Sequence, residues 1–555
     1  MILTCMPSLA TIPFRRIPHH SEIFLDYLDL SPAALRFYAR PPSLESLESA
    51  AHQICARFQT PRRQIARVLK RQNEGFGSSP RTMQYIRDLE DDRCVAVVTG
   101  QQVGLFTGPL YTPYKALTAI RIAEELRARG VPAVPLFWMD SEDHDLAEVT
   151  RVWVLERGSA PRMIDYCPIL FGENRDEDVS RPVGSISFGE SIENAVEQYV
   201  EFLPESPRNE SIRALLQQAY RPGATFTQAF ASLMVHLFRN HGLILFDSSD
   251  QEAKPLVSGT FQRALRECAG ICEALRSRDI ALEEAGYHTQ VHVAENSTVL
   301  FVHDQGQRRA LARADEGFAL KNCSRNFTTD ELARLAAESP ERFSPNVLLR
   351  PIVQDTLFPT VAYVAGPSEI AYFAQIQVLY DFFDRPMPAI WPRASFTVVE
   401  QEVSRSMREH GVAFEDCLMG KHHIVEKIIA AKDQTSATAI LRGLQEYLEE
   451  ALDALHPGLV AAEASLGPAL DTARRKILHH VAGLQTKLVH VEARHHHEVL
   501  EKAEYFLNHC YPNRNLQERA WGVLYLLASQ GETVLDLLYS SIRPGSFDHK
   551  IVTLD

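Results

Sequence analysis

The segment "WMDSEDHDLAEV", residues 138–149, carries the densest group of side chains that could do chemistry. It continues an apolar run typical of a strand, and ligands of open α/β sheets bind outside the carboxyl ends of the strands. Carboxylates here could hold Mg²⁺, orient a substrate amine or adjust the histidine as a base. A solvated acidic loop that caps the next helix is the alternative interpretation. The titratable residues of the segment include Asp140, Glu142, Asp143, His144 and Asp145.

The segment "TGQQVGLFTGPLYTPYK", residues 99–115, leads from an apolar strand through a glycine-rich turn into a helix. It contains neither the Gly-Lys-Ser/Thr of a P-loop nor G-x-G-x-x-G. We expect Thr112 to cap the helix and Pro113 to open it, which places Lys115 in the first turn. A cation there opposes the helix dipole, so an anionic partner would explain it; a surface lysine beside a structural turn is the alternative. Bare backbone can approach an anion at Gly100, Gly104 and Gly108.

A third group lies in "SPNVLLRPIVQDTLFPTVAYVAGPSEIAYFAQ", residues 344–375. Arg350 and Gln354 lie near one another, and Glu369 follows a second strand-to-helix turn. Glu369 complements the helix dipole, so a structural role as a cap is the alternative to a binding role. Arg393 in "WPRAS" follows the last predicted core strand, where an arginine can hold a carboxylate with two hydrogen bonds.

Several other polar residues give no site. The histidines at 495–497 point about 100° apart on a predicted helix, so they cannot converge on one metal. His288, Gln290 and His292 alternate onto one face of a predicted strand, either as a site wall or as a polar sheet face. The nine cysteines are scattered without a Cys-x-x-Cys pair, and linear order gives no Ser-His-Asp or Cys-His set. We therefore predict no metal-binding residue.

The pattern of strands and helices that would position these residues predicts an α/β fold with a parallel sheet. Residues 95–157 form a strand–helix–strand unit, and strand and helix patterns resume after an insertion. The segments we predict are an N-terminal helical segment 1–90, the first half of the core 91–157, an insertion 158–225, the second half of the core 226–400 with a further insertion near 280–340, a helical coiled-coil arm 401–530, and a C-terminal tail 531–555.

The C-terminal arm shows a heptad pattern. Within 421–510 the chain either folds back on itself or pairs with a second chain, and an ordinary helical bundle is the alternative. Pro457–Gly458 and Gly467–Pro468 suit breaks between helices. The seam with four–three spacing is Ile477, Val481, Leu484, Leu488 and Val491, and an earlier stripe is Leu441, Leu444, Leu448 and Leu455.

Composition excludes several classes of protein. The 555 residues carry a net charge of −14, which argues against a nucleic-acid binder, because such proteins usually show a basic face. No run approaches the roughly 20 apolar residues of a membrane helix, and the N-terminus has the wrong order for a secretory signal. We predict a cytoplasmic protein with neither nucleic acid nor membrane as a partner.

With these residues in view, the chain resembles the bacillithiol-biosynthesis cysteine-adding enzymes over nearly its full length. The three segments above carry the resemblance, together with "PRASFTVVE" and "YPNRNLQERAWGVLYLL". It implies a Rossmann-like core with connecting-peptide insertions and a coiled coil that forms a homodimer. It also implies ligation of L-cysteine to the amine of glucosaminyl-malate. The architecture resembles class I aminoacyl-tRNA synthetases, but residues 99–102 replace their H-I-G-H motif.

The resemblance and the residues together suggest roles. Asp143 or His144, with Glu142 beside them, would accept the proton of the attacking amine. A nucleotidyltransferase and a non-catalytic scaffold for the thiol pathway are the alternative functions. ATP with Mg²⁺ would bind at Thr99, Gly100, Gln101, Gln102, Gly104, Gly108 and Lys115. The substrates would bind at Trp138, Asp145, Asn346, Arg350, Gln354, Gly366, Glu369, Tyr372 and Arg393.

Overall fold

A computed structural model describes residues 8–156, 160–167, 180–314, 317–321, 325–432, 437–495 and 497–554. The strands are β1 Ser8–Ile12, β2 Val95–Gln102, β3 Ala133–Asp140, β4 Arg151–Glu156, β5 Ala160–Asp165, β6 Ile244–Asp247, β7 Leu300–Asp304, β8 Gln307–Ala314, β9 Gly317–Leu320, β10 Asn326–Phe327, β11 Phe343–Pro345, β12 Thr360–Ala365, β13 Ala389–Pro392, β14 Phe396–Val399 and β15 His549–Thr553.

The helices are α1 Glu22–Leu28, α2 Pro32–Leu35, α3 Leu44–Arg57, α4 Arg62–Phe76, α5 Pro80–Asp88, α6 Tyr111–Ala128, α7 Leu146–Val149, α8 Ser191–Phe202, α9 Asn209–Ala219, α10 Phe226–Phe238, α11 Ser258–Arg266, α12 Cys268–Glu284, α13 Thr329–Glu338, α14 Arg350–Leu357, α15 Pro367–Phe382, α16 Gln401–Glu409, α17 Phe414–Met419, α18 Lys421–Lys432, α19 Ala437–Ala462, α20 Leu466–His495, α21 His497–Cys510, α22 Gln517–Ala520, α23 Val523–Gln530 and α24 Thr533–Ser541.

The core is a parallel sheet with strand order β13-β12-β2-β3-β6. Its strands are mostly apolar and buried, as in the run Val95–Val98, because helices cover both faces of a parallel sheet, and polar residues occur towards the carboxyl ends of β2, β3 and β6. The chain crosses from β2 through α6 to β3 and later returns to the other side of β2 with β12. The order reverses between β2 and β12, which is where such sheets bind ligands. The prediction of a Rossmann-like core is confirmed.

The two insertions add antiparallel structure to this core. The β4–β5 hairpin begins in the segment predicted as core and leads into the first insertion, where α8 and α9 follow; residues 158–159 and 168–179 of the predicted insertion lie outside the described part. The second contains the sheet β10-β9-β8-β7-β11. The prediction of a strand through residues 288–292 is wrong, because the first strand of this insertion is β7, which begins at Leu300. That segment instead adjoins α15, where the backbone N–H of Gln290 donates to Gln375.

The two ends of the chain meet in a small sheet. β1 pairs antiparallel with β15, and β15 pairs in parallel with β14 next to the core. The N-terminal segment that the sequence predicts as helical therefore begins with a strand. This pairing holds the C-terminal segment against the core, which brings residues near 518 to the sheet edge that carries the ligand site.

The C-terminal arm is a helical hairpin in which α19 and α20 run antiparallel, joined at residues 463–465. Pro457 lies inside α19 and Gly467–Pro468 in the first turn of α20, so the predicted breaks at those positions are wrong. Arg474 pairs with Asp453 across the hairpin at 3.0 Å. The side chains of Leu488 and Val491, and residue 496, lie outside the described part. Among the described helices, none is long and apolar enough to cross a membrane.

Candidate active site

A cavity of about 560 Å³ opens at the carboxyl edge of the parallel sheet, at the reversal between β2 and β12. The ends of four strands supply its walls: Gln101 and Gln102 end β2, Asp140 ends β3, Gly366 follows β12, and Arg393 follows β13. The fold therefore brings residues from distant parts of the chain to one place. This is the position that the parallel topology predicts.

The cavity contains many, though not all, of the residues singled out in the sequence. The predicted residues that line it are Gly100, Gln101, Gln102, Lys115, Trp138, Asp143, His144, Asn346, Arg350, Gly366, Glu369, Tyr372 and Arg393. The predicted residues that do not line it are Thr99, Gly104, Gly108, Glu142, Asp145 and Gln354.

The glycines of the turn after β2 serve packing. A Cβ on Gly100 would lie 2.9 Å from the carbonyl oxygen of Trp138, so only glycine lets β2 approach β3 here. Gly104 and Gly108 face one another, and a Cβ on Gly104 would lie 3.3 Å from Gly108 Cα. Beyond them, the backbone N–H of Leu110 donates to Trp521 O at 2.8 Å, which attaches the turn to the C-terminal segment. Gly104 and Gly108 do not line the cavity, and the prediction that they face a phosphate stays a prediction.

Lys115 already has its anionic partner within the protein. α6 begins at Tyr111 rather than Pro113, which places Lys115 at the fifth helical position. Its ammonium group is buried, lies 2.5 Å from Glu369 and donates to Gly100 O at 2.8 Å. Although burial favours the neutral acid, the charge of Lys115 holds the pKa of Glu369 below its usual value. The pair links the ends of β2 and β12 and leaves Lys115 little charge to offer a phosphate.

Three predicted residues have structural roles. Glu142 is buried and pairs with Lys254 at 2.5 Å, on the far side of the loop from the cavity. Asp145 caps α7, since its carboxylate accepts from Ala147 N at 3.1 Å. Gln354 is fully buried beneath Arg350. The side chains of all three residues are engaged within the protein and do not line the cavity, so the roles predicted for them, catalysis for Glu142 and substrate binding for the other two, stay predictions.

Asp143 faces the cavity, but its carboxylate is fully engaged. It accepts from His144 N at 2.7 Å, from Arg308 Nη1 at 3.2 Å and from the side chain of Gln102. Although burial opposes ionisation, these hydrogen bonds and the charge of Arg308 hold the pKa of Asp143 well below its usual range. A carboxylate stabilised this strongly as the anion is a weak base. Asp143 orders the loop after β3 and is poorly suited to take a proton.

Asp140 is the contrasting carboxylate. It lines the cavity, and its side chain has no hydrogen bond or ion pair within the described part of the chain. Burial raises the pKa of Asp140 to about 6, and the nearby charge of Asp143 adds to the shift. A carboxyl group with a pKa near the working pH is suited to general base catalysis. Two neighbouring aspartates therefore have separate roles, set by their surroundings.

Arg308 completes the site from the second insertion. It extends from β8, stacks over the Phe301 ring at 3.9 Å, and donates to Ser344 Oγ at 3.0 Å and Pro345 O at 2.8 Å. Its Nη1 also lies 3.1 Å from His144 Nδ1. Sequence reasoning missed Arg308, because nothing in the alternating pattern of the insertion distinguishes it from a surface arginine.

The two predicted substrate-binding arginines differ in charge balance. Arg393 is buried and pairs with Glu518 at 2.5 Å. Arg350 donates to Tyr372 Oη at 2.8 Å, and its other partners are the neutral side chains of Tyr363 and Gln354. Arg350 therefore keeps a charge that no described carboxylate contacts directly, whereas that of Arg393 is balanced.

Two buried polar atoms of cavity residues have no partner within the described ranges: Nε1 of Trp138 and Oε1 of Gln102. A buried donor or acceptor left unpaired costs free energy, so such atoms mark places where a ligand can bind. Within the same ranges, no three His, Cys, Asp or Glu side chains are grouped closely enough to hold a metal ion. The polar lining suits an organic substrate with its own hydrogen-bonding groups.

Comparison with known proteins identifies the family. The family model described as "Bacillithiol biosynthesis BshC, N-terminal Rossmann-like domain" matches residues 8–394, and "Bacillithiol biosynthesis BshC, C-terminal coiled-coil domain" matches residues 396–554. Relatives named "Putative cysteine ligase BshC" include one from Koribacter versatilis, 36% identical over 95% of this chain and 96% of its own length. Those from Salinibacter ruber and Solibacter usitatus are each 33% identical, covering 96% and 97% of this chain and 96% and 98% of their own. The chain belongs to the BshC family of bacillithiol biosynthesis.

Proposed function

We propose that this chain is a ligase that joins the carboxyl group of L-cysteine to the amine of glucosaminyl-malate, completing bacillithiol. The names of its relatives support a cysteine ligase. The observation that carries the proposal is the presence in the cavity of two charged side chains, Asp140 and Arg350, that form no ion pair within the described part of the chain, although the charge of each acts on the other. Asp140 has no partner, and Arg350 has only neutral partners. One can accept a proton, and the other can hold a carboxylate.

Asp140 would act on the attacking amine. An amine attacks a carboxyl carbon only as the neutral base, and its nitrogen loses a proton as the amide forms. In the proposed step the C–N bond forms, the bond from the carboxyl carbon to its activated oxygen breaks, and Asp140 takes the proton. Arg350 would orient a substrate carboxylate, and Nε1 of Trp138 would donate to a substrate oxygen.

ATP is the co-substrate that we expect to supply the activation of the cysteine carboxyl group, with Mg²⁺ bound to its phosphates. Gln101 and Gln102 would hold it, together with the first turn of α15 at Ser368. Two features support this placement: Oε1 of Gln102 lacks a partner and can accept from a hydroxyl or amino group of the nucleotide, and Ser368 in the first turn of α15 lines the cavity. Thr99, Gly104 and Gly108 are not part of this proposal, because they lie outside the cavity.

We also propose that the protein acts as a cytoplasmic homodimer joined through the α19–α20 hairpin. Large apolar side chains of the hairpin are exposed in the single chain, including Leu444 at 43%, Tyr447 at 67% and Leu484 at 55%. An apolar surface of this kind on a heptad-patterned hairpin favours pairing with a second copy.

Product analysis by mass spectrometry tests the proposal. The purified protein is incubated with L-cysteine, glucosaminyl-malate and Mg-ATP, with each omitted in turn. We expect a new thiol amide only when all three are present, with AMP or ADP released. A stable product that contains AMP would indicate a nucleotidyltransferase instead. Binding of neither nucleotide nor cysteine by a folded protein would favour a non-catalytic scaffold.

A further inference from the structure

A second cavity of about 240 Å³ adjoins the main cavity. It lies between the N-terminal residues 17–21 and the C-terminal residues 511–519, which the β1–β15 pairing brings together. The two cavities share Gln290, Pro367, Ser368 and Arg519 in their walls. A ligand in the main cavity can therefore extend into the second one. The C-terminal part of this wall lies within "YPNRNLQER", a motif for which the proposed ligation step gives no role.

The wall of the second cavity is cationic and has no carboxylate. It contains Arg514, Arg519, His19 and His20, and no Asp or Glu. Neither arginine has an ion pair or a side-chain hydrogen bond within the described part of the chain. Two arginines of the main cavity are balanced by contrast, Arg308 by Asp143 and Arg393 by Glu518. Both arginines are exposed, so in a protein with a net charge of −14 they leave a hydrated positive patch on this cavity that can attract an anionic ligand.

The backbone of this wall is held in an unusual conformation. His19 has φ 69°, Asn513 φ 51° and Arg514 φ 58°, all in the left-handed region that non-glycine residues seldom adopt. Such conformations strain the backbone, and they concentrate at ligand sites. The fold therefore places the side chains of His19 and Arg514 at the cavity at the expense of local strain.

His20 supplies hydrogen bonding rather than charge. It packs against Phe14 and Phe24, and burial lowers the pKa of His20 to about 4, with the charge of Arg519 adding to the shift. The imidazole is therefore neutral near pH 7. Ser368, in the first turn of α15, adds a hydroxyl group to the same wall.

From these features we propose that the second cavity is an oxyanion site, in which Arg514 and Arg519 bind the anionic end of a substrate whose reacting group lies in the main cavity. The proposal rests on the proposed ligase function for the identity of that substrate. Two sources share the chemistry: the carboxylates of the malyl group and the phosphates of the nucleotide. Either would form charge-assisted hydrogen bonds with the two guanidinium groups.

Calorimetric titration of the full chain tests the site without relying on turnover. The probes are glucosaminyl-malate, L-malate, ATP and pyrophosphate, and the variants are Arg514→Gln, Arg519→Gln and their combination. We expect the double variant to bind at least one substrate and its matching small anion about 10-fold or more weakly, because it loses the charge-assisted hydrogen bonds of two guanidinium groups. Arg57→Gln is the control, because Arg57 is exposed and lines neither cavity.

The outcome separates the two sources. Weaker binding of glucosaminyl-malate and L-malate alone assigns the site to the carboxylates, and weaker binding of ATP and pyrophosphate alone assigns it to the phosphates. Unchanged binding of all four by a double variant with the wild-type melting temperature overturns the proposal. Arg519→Lys, which keeps the charge, should retain most of the affinity. Because binding is measured directly, absence of ligase turnover would not affect the result.

Discussion

Nη1 of Arg308 lies 3.2 Å from Oδ1 of Asp143, which ties a strand of the second insertion to the loop that follows β3. The two residues are 165 positions apart, so this contact exists only in the folded chain. It stabilises the ionised form of Asp143 and leaves the neighbouring Asp140 as the carboxylate that can exchange a proton. The insertion therefore helps to set the protonation chemistry of the core in addition to covering it.

Arg308→Met should reduce turnover about 10- to 100-fold, because Asp143 and His144 lose the group that positions them. The charge of Arg308 also lowers the pKa of Asp140, so its removal should move the acidic limb of the pH–rate profile to higher pH. A purely structural role would lower the rate without moving the limb. Arg309→Met is the matched control, since alternation along β8 turns Arg309 to the opposite face. An unshifted limb in Arg308→Met would contradict this interpretation.

Asp140→Asn should lower turnover by about 10²–10⁴, the usual contribution of a general base. Steady-state kinetics should show this loss in kcat, while KM changes less. Asp330→Asn is a control at an exposed position on α13. Asp143→Asn should also be slower, and its acidic limb should move to lower pH if Asp140 is the base, because the charge of Asp143 raises the pKa of Asp140. A fully active Asp140→Asn enzyme would exclude Asp140 from proton transfer.

The same substitution should stabilise the fold above pH 6. The pKa of Asp140 in the folded protein, about 6, lies above its unfolded value, so the folded state binds the proton more tightly. Stability is therefore lost as pH rises from about 4 through 6, when a carboxylate must ionise without a partner. Removing this cost should add about 1–2 kcal/mol at pH 8, reduced from the full shift because the group adjoins an open cavity. Melting curves of Asp140→Asn and wild type should diverge between pH 5 and pH 8 and coincide near pH 4.

Wild-type turnover should rise as pH increases through about 6, because Asp140 accepts a proton only when ionised. The measurement is kcat between pH 5 and 8 with saturating substrates. Asp143, whose pKa is held well below its usual range, stays ionised throughout this interval and cannot produce the limb. A rate that is flat from pH 5 to 7 would show that no group with the pKa of Asp140 controls the reaction.

Local patterns predict the core well, because its strands and helices are set by short-range sequence. The apolar run before Gly100 and the run that ends at Asp140 form β2 and β3, and their carboxyl ends form the cavity. The differing roles of Asp140 and Asp143 could not be predicted, since they depend on partners such as Arg308. The packing role of the turn at Gly104 could not be predicted for the same reason, because the turn contacts the distant C-terminal segment. Pairing of β1 with β15 likewise leaves no local signal.

The buried pair Arg393–Glu518 should be important for stability. Glu518 also accepts from Ser395 Oγ at 2.8 Å and Phe396 N at 3.1 Å, so its carboxylate joins the C-terminal segment to the end of β13 and the start of β14. Arg393→Met leaves this carboxylate buried without its cation and should cost about 3–5 kcal/mol. Adding Glu518→Gln should recover part of the loss, which thermal unfolding can measure. Arg93→Met, at an exposed ion pair, should change stability little; equal losses in both variants would refute the assignment.

The α19–α20 hairpin should control assembly. Leu444→Glu with Leu484→Glu places charges on side chains that are 43% and 55% exposed in the single chain. If these side chains are covered by a second copy, the charges must be buried without partners, and the dimer should dissociate.

Size-exclusion chromatography with light scattering should then give a dimer for wild type and a monomer of unchanged helical content for the double variant. His479→Glu adds the same charge at an exposed polar position of α20 and should leave the dimer intact. A double variant that remains dimeric would place the contact between copies elsewhere. A wild-type monomer would show that the two copies do not associate. Neither outcome would affect the cavity, because the cavity lining is formed from residues 100–393 and Arg519 of one chain and includes no residue of the hairpin.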